Sequence, residues 1–168
     1  MTVLVLTCEE DVTADLVVAV LHDRGVPVVR LDPADLPGDV SLSGEYFRGD
    51  FHGHLAAGGR VVSMSALRSI WIRRPGTPGA RVAEQSAWST AEATQALYGM
   101  LICTDARWMN HPGAAAQARY KPWQLHVAHR SGFAVPATLI TTFPQIARQF
   151  AAHHEDLVVK AVSGSHPG

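Results

Sequence analysis

Two residues have types and a spacing that suggest chemistry: Lys121 and Lys160, the only lysines among 14 basic residues, set 39 positions apart. Lys121 stands in "ARYKPWQLHVAHR", and Lys160 in the apolar run "LVVKAV". A charge inside an apolar strand is expensive to bury unless something pairs with it. "SGSHPG" follows directly, a small donor-rich loop of the kind whose backbone N–H groups close over phosphates. Two ammonium groups and such a loop, if they converge, would hold a polyanion. A lysine among phosphates acts as a slim point charge, whereas the broader guanidinium wants a planar bidentate partner. Abundant Ala and Arg suggest a high-GC coding bias, against which a retained lysine carries some meaning. The alternative is that Lys160 faces solvent on an edge strand and "SGSHPG" is a free end.

Other candidates have plainer readings. His52 and His54 share a face if extended, but no Cys or carboxylate is placed to complete a tetrahedral metal set, so they read as surface histidines. His126 with His129, and His153 with His154, read the same way. Arg73-Arg74 ends a predicted strand, where the pair either reaches a ligand in an open α/β sheet or grips a neighbouring carboxylate. Cys8 and Cys103 read as buried free thiols, too few for a disulfide scaffold. No glycine fingerprint follows the first strand, so no dinucleotide site is expected.

The elements that would position these residues come from hydrophobic period and punctuation. Thr2–Thr7 reads as a strand. A helix capped by Asp11 or Thr13 runs to about Arg24, with Leu16, Val17, Val20 and Leu21 as its apolar face, and Pro27–Leu31 is a second strand. Strand, helix and strand make a β-α-β unit and hence a parallel pair. Val40–Val62 is Gly-punctuated and suggests a meander or hairpins. Ser69–Pro75 is a buried strand, Ala80 to about Thr104 a long helix with Ala87, Ala91, Tyr98 and Leu101 on one side, and "RWMNHPG" a short strand and turn. Beyond Gly113, Ala114–Arg119 favours helix, and Pro122 suits the first turn of a helix ending near Arg130, before Gly132. Val135–Thr141 is a predicted strand, Pro144–Ala152 a helix and Leu157–Val162 a strand.

Composition narrows the function classes. With 47% hydrophobic and 17% charged residues the chain is globular, and a net charge of −1 without a basic run argues against nucleic acid or anionic membrane as partner. "MTVLVLTCEED" has no basic n-region, and no apolar run reaches the ~18 residues of a membrane span. A cytoplasmic protein is expected.

"YKPWQLHVAHRSGFAVPATLIT" followed by "LVVKAVSGS" resembles the front half of an ATP-grasp domain. "SIWIRRP" and "WMNHP", flanking a long helix, resemble the pre-ATP-grasp domain of RimK-like and microviridin-type (graspetide) peptide maturases. The resemblance implies an α/β fold: a Rossmann-like pre-ATP-grasp domain over 1–112, then the start of an ATP-grasp subdomain over 113–168. It implies ATP as cofactor, with Lys121 and Lys160 on the phosphates, Lys160 also reaching the adenine, and Ser163, Gly164 and Ser165 in the covering loop. It implies a ribosomal precursor peptide as partner and carboxylate activation through an acyl-phosphate to form ester or amide cross-links; the sequence leaves the oligomeric state open, with a homodimer as one assembly. A RimK-like amino-acid ligase and a non-catalytic nucleotide- or partner-binding module are the alternatives. Eight residues follow Lys160 and none is acidic, so Mg²⁺ ligands are expected beyond residue 168, in a longer ligase of which this chain is the N-terminal portion.

Overall fold

The structure is a computed structural model and describes residues 1–82 and 86–162. The chain divides into two compact units, Met1–His111 and Pro112–Gly168.

The first unit is built on a parallel sheet. Strand β1 (Thr2–Leu6) leads through helix α1 (Val12–Asp23) to β2 (Val28–Leu31), which pairs beside it. An antiparallel meander follows, β3 (Val40–Phe47), β4 (Asp50–Ala57) and β5 (Arg60–Ser63). The chain then returns to the first sheet as β6 (Leu67–Ile72), on the other side of β1. It passes through α2 (Ala87–Ile102) and ends in β7 (Arg107–Met109), giving the order β2-β1-β6-β7. Alternation along β1 sends Val3 and Val5 to one face and Leu4 and Leu6 to the other. Val5 packs with Ala14 of α1 and Val28, while Leu4 and Leu6 join Leu31, Ile70 and the α2 residues Leu97 and Leu101.

Local signals explain most boundaries. Asp11 caps α1, its Oδ1 accepting from the Ala14 amide at 3.2 Å. Of the expected face of α1, only Leu21 turns inward. Ala14, Val18 and Leu21 meet the sheet, whereas Leu16 is 67% and Val20 48% exposed, with Val17 exposed as well. This helix is apolar nearly all round, so period alone does not choose a face, and the small Ala14 allows the closest approach to Val5. Helix α2 begins at Ala87 rather than Ala80, where Ser86 and Ser89 form a reciprocal capping box. Its Ala87 and Ala91 are exposed, and Leu97 and Leu101 supply the buried stripe.

Two turns of the meander need positive φ. Arg48 and Gly49 (53° and 93°) join β3 to β4, and Gly58 and Gly59 (55° and 72°) join β4 to β5, as two-residue hairpin loops require. Opposite each other in β3 and β4, Gly44 and Gly53 lie beneath the Phe51 ring. A Cβ on Gly44 would sit 2.9 Å from that ring, and one on Gly53 would also sit 2.5 Å from the Met64 sulfur.

The second unit holds three helices, α3 (Pro112–Ala118), α4 (Lys121–Arg130) and α5 (Pro144–Ala152). Pro122 lies in the first turn of α4, and Gly132 (φ 83°) ends it, with the Phe133 amide donating back to the Ala128 carbonyl at 3.0 Å. The predicted strands 135–141 and 157–162 do not form among the described residues. A strand requires a ladder partner for its N–H and C=O groups. Neither segment has one there, and Val159 is 94% exposed.

Candidate functional site

Strand order in the parallel sheet reverses between β1 and β6: the chain leaves β1 toward β2 and later adds β6 on β1's other edge. In open α/β sheets the carboxyl ends of the strands flanking such a switch are where ligands bind. Here that edge is laced with charge. Arg73, just after β6, donates its amide to the Leu6 carbonyl at 3.0 Å, and the Arg74 carbonyl accepts from the Cys8 amide at 2.9 Å. Asp11 is buried beneath them. It accepts from the Thr7 hydroxyl at 2.8 Å and from Ala14, and it faces the Arg73 Nε at 3.7 Å. Burial opposes its ionisation, but the Thr7 hydroxyl, the Ala14 amide and the charges of Arg73 and Arg74 prevail and hold its pKa below the ordinary value.

Next to this group, Arg30 of β2 donates to the carbonyls of Cys8 and Glu9, both at 2.7 Å, and pairs with Asp15. Asp32, buried at the end of β2, accepts from the amides of Ala34 (3.1 Å) and Gly76 (2.8 Å) and from Arg81 (2.8 Å). Arg81 also donates to Asp35 at 2.8 Å, and the Asp35 and Asp32 carboxylates together raise its pKa. A Cβ on Gly76 would lie 2.8 Å from an Asp32 oxygen, so only glycine brings the loop this close. The clamp joins residues 44 and 49 positions apart and has no local signature in sequence.

The nucleotide candidates belong to the second unit. Lys121 is the first residue of α4, half-buried, and its Nζ donates to the neutral Gln124 Oε1 at 3.5 Å. Lys160 is exposed and has no polar partner among the described residues. Pro122, next to Lys121, and Val162, two residues past Lys160, line one cavity of about 700 Å³ together with Gln117, Tyr120, Trp123 and His126, and neither lysine is among its lining residues. Ser163, Gly164 and Ser165 lie outside the described residues.

The thiols depart from expectation. Cys8 is only half-buried and Cys103 is exposed, because Cys103 is the residue at which α2 ends. Its sulfur lies 3.2 Å from the Tyr46 hydroxyl, and this contact raises the Tyr46 pKa. His52 and His54 are exposed on β4, and His126 stacks on Trp123 at 5.4 Å. Among the described residues no group of three or more His, Cys, Asp or Glu side chains gathers to hold a metal. No helix there is long and apolar enough to cross a membrane.

Comparison with known proteins places this architecture. The family model of the MvdD pre-ATP grasp domain matches residues 2–115. The chain belongs to this family. In the MvdD-type domain described here, the α/β sheet is therefore a pre-ATP-grasp domain, as the resemblance implied. Solved structures extend the likeness past residue 115. A RiPP-associated ATP-grasp ligase of Chryseobacterium gregarium, in complex with ADP and a leader and core peptide, is 26% identical over 92% of this chain and 48% of that one, with a TM-score of 0.83. The macrocyclase MdnC of Microcystis aeruginosa MRC, bound with precursor peptide MdnA, shares the fold at 24% identity over 91% of this chain and 50% of that one (TM-score 0.81). PsnB, complexed with minimal precursor, Mg and ADP, does so at 23% identity over 99% and 54% (TM-score 0.72). The chain thus spans about half the length of these proteins. No curated protein matches it.

Proposed function

We propose that this chain is the N-terminal portion of an ATP-dependent ligase that joins side chains of a ribosomal precursor peptide through ester or amide bonds. The observation that carries this reading is the match of residues 2–115 to the MvdD pre-ATP grasp domain. Likeness over 92% of the chain to a ligase solved with ADP and a leader and core peptide supports nucleotide and peptide as its ligands. When bound, ATP supplies the phosphoryl group that turns a carboxylate into an acyl-phosphate open to attack by a hydroxyl or amine.

Lys121 and Lys160 are the residues of this chain that would hold the phosphates, Lys160 also reaching the adenine, with Ser163, Gly164 and Ser165 closing over them. The donor chemistry fits. Lys121 contacts only a neutral amide and Lys160 has no carboxylate beside it among the described residues, so neither charge is already neutralised. In this reading Mg²⁺ is held by residues outside the chain. ATP and a ribosomally made peptide meet in the cytoplasm, which is the implied location. A homodimer belongs to the same reading. Exposed Val12, Leu16 and Val20 along α1 support it, since antiparallel packing on a second copy would bring Glu9 and Glu10, on the turn before α1 of one copy, toward Arg24 at the end of α1 of the other. Light scattering should then give twice the chain mass.

Replacing Lys121 or Lys160 with Ala in the complete ligase is expected to weaken ATP binding by about tenfold or more, the worth of one charge-assisted contact. Titration calorimetry reads it, and unchanged affinity in both variants removes the site assignment. Product mass reads the reaction class: water losses from a single peptide support cross-linking, whereas added residues would instead indicate an amino-acid ligase.

A further inference from the structure

Arg73 and Arg74 are one motif in the sequence and two different residues in the fold. Both follow β6 at the switch in strand order. Three other guanidinium groups on this edge are committed to carboxylates: Arg73 to Asp11, Arg30 to Asp15, and Arg81 to Asp32 and Asp35. Arg74 is exposed, and its side chain makes no hydrogen bond or ion pair among the described residues. Asp11 feels its charge but has its oxygens filled by Thr7 and Ala14 and faces Arg73.

The backbone beneath Arg74 is fixed from three sides. Its carbonyl accepts from Cys8, the preceding amide donates to Leu6, and two residues on the Gly76 amide is bound to Asp32. A rigidly based, unpaired planar fork at a strand end suits the two oxygens of a carboxylate. Glu9 and Glu10, exposed on the turn after β1, give the edge mixed charge. Binding here therefore depends on the fork rather than on a general positive field, which favours a single carboxylate over a polyphosphate.

The geometry points to Arg74 as a binding residue for a carboxylate side chain of an acidic peptide substrate, at the β1–β6 switch of the parallel sheet. The inference rests on the reading of the protein as a ligase that activates side-chain carboxylates of a precursor peptide. Its test is calorimetric titration of the full protein with a blocked Thr-Glu repeat hexapeptide, its Thr-Gln counterpart and ADP. The unmodified protein should prefer the Glu peptide by about tenfold or more. Arg74→Gln should erase that preference, Arg74→Lys should keep part of it, and neither should change ADP affinity. Preference retained in Arg74→Gln overturns the inference and leaves the ligase reading standing. A loss confined to ADP makes the anion a phosphate and overturns it too. An unmodified protein that binds neither peptide removes the inference together with the reading beneath it.

Discussion

The two units use similar amino acids to different effect. In Met1–His111 the side chains of Leu4, Val5, Leu6, Ile70, Leu97 and Leu101 have no exposure, and both faces of the parallel sheet are covered. In Pro112–Gly168 no described residue is buried, although Trp123, Phe133, Ile140, Phe143 and Val158 are as apolar as anything in the first unit. Helices form in both because their signals are local: a proline in the first turn, a capping serine, a glycine at the end. Among the described residues strands form only in the first, because a strand is completed by another stretch of chain. Secondary structure can therefore be present without a core: among the described residues of the second unit the helices are formed although their apolar side chains are not buried within this chain.

The sharpest way to break this contrast is to separate the units. A protein comprising 1–111 should unfold in one cooperative thermal transition, and 112–168 alone should show none by calorimetry. A cooperative transition in the second piece would mean that burial is not what distinguishes them. Point substitutions test the same idea more gently. Ile70→Ala, at the centre of the sheet, should cost roughly 2–5 kcal/mol in urea unfolding. Val159→Ala should stay within about 0.5 kcal/mol.

The smallest effect concerns polar burial, which among the described residues is found only in the first unit, at Thr7, Asp11 and Asp32. The folded state lowers the Asp11 pKa, so the stability this carboxylate contributes is present above the ordinary carboxylate range and is lost as pH falls through that range and below. From about pH 5 down to about pH 2 the melting temperature of the unmodified protein should therefore fall more steeply than that of Asp11→Asn. Parallel curves would show that the Thr7–Asp11–Arg73 contacts do not favour the charged form.

Legibility in sequence follows the same division. The β-α-β start, the meander, β7 and the helices α3 to α5 were readable because turn glycines, caps and first-turn prolines act within a few residues. The phase of α1 was not, since Leu16, Val17 and Val20 look as core-forming as Val18 and Leu21 until the sheet selects Ala14. The start of α2 was displaced by Arg81, which is drawn away to Asp32 and Asp35. The strands expected over 135–141 and 157–162 have the right composition, but composition does not supply a partner. At the switch edge, the motif Arg73-Arg74 was visible while its division of labour was not, because only the fold sets Asp11 against the first arginine and leaves the second open.

The paired glycines of the meander have a consequence for how the chain folds. Gly44 faces Gly53 in the observed register, under the Phe51 ring. A two-residue slip of β3 along β4 would preserve which side chains point inward, yet it would set Leu42 or Tyr46 opposite Gly53 and thrust a side chain against that ring. The Arg48–Gly49 turn specifies the same alignment from the hairpin's other end. Misaligned hairpins are thus rejected twice, once by the geometry of the bend and once by the ring.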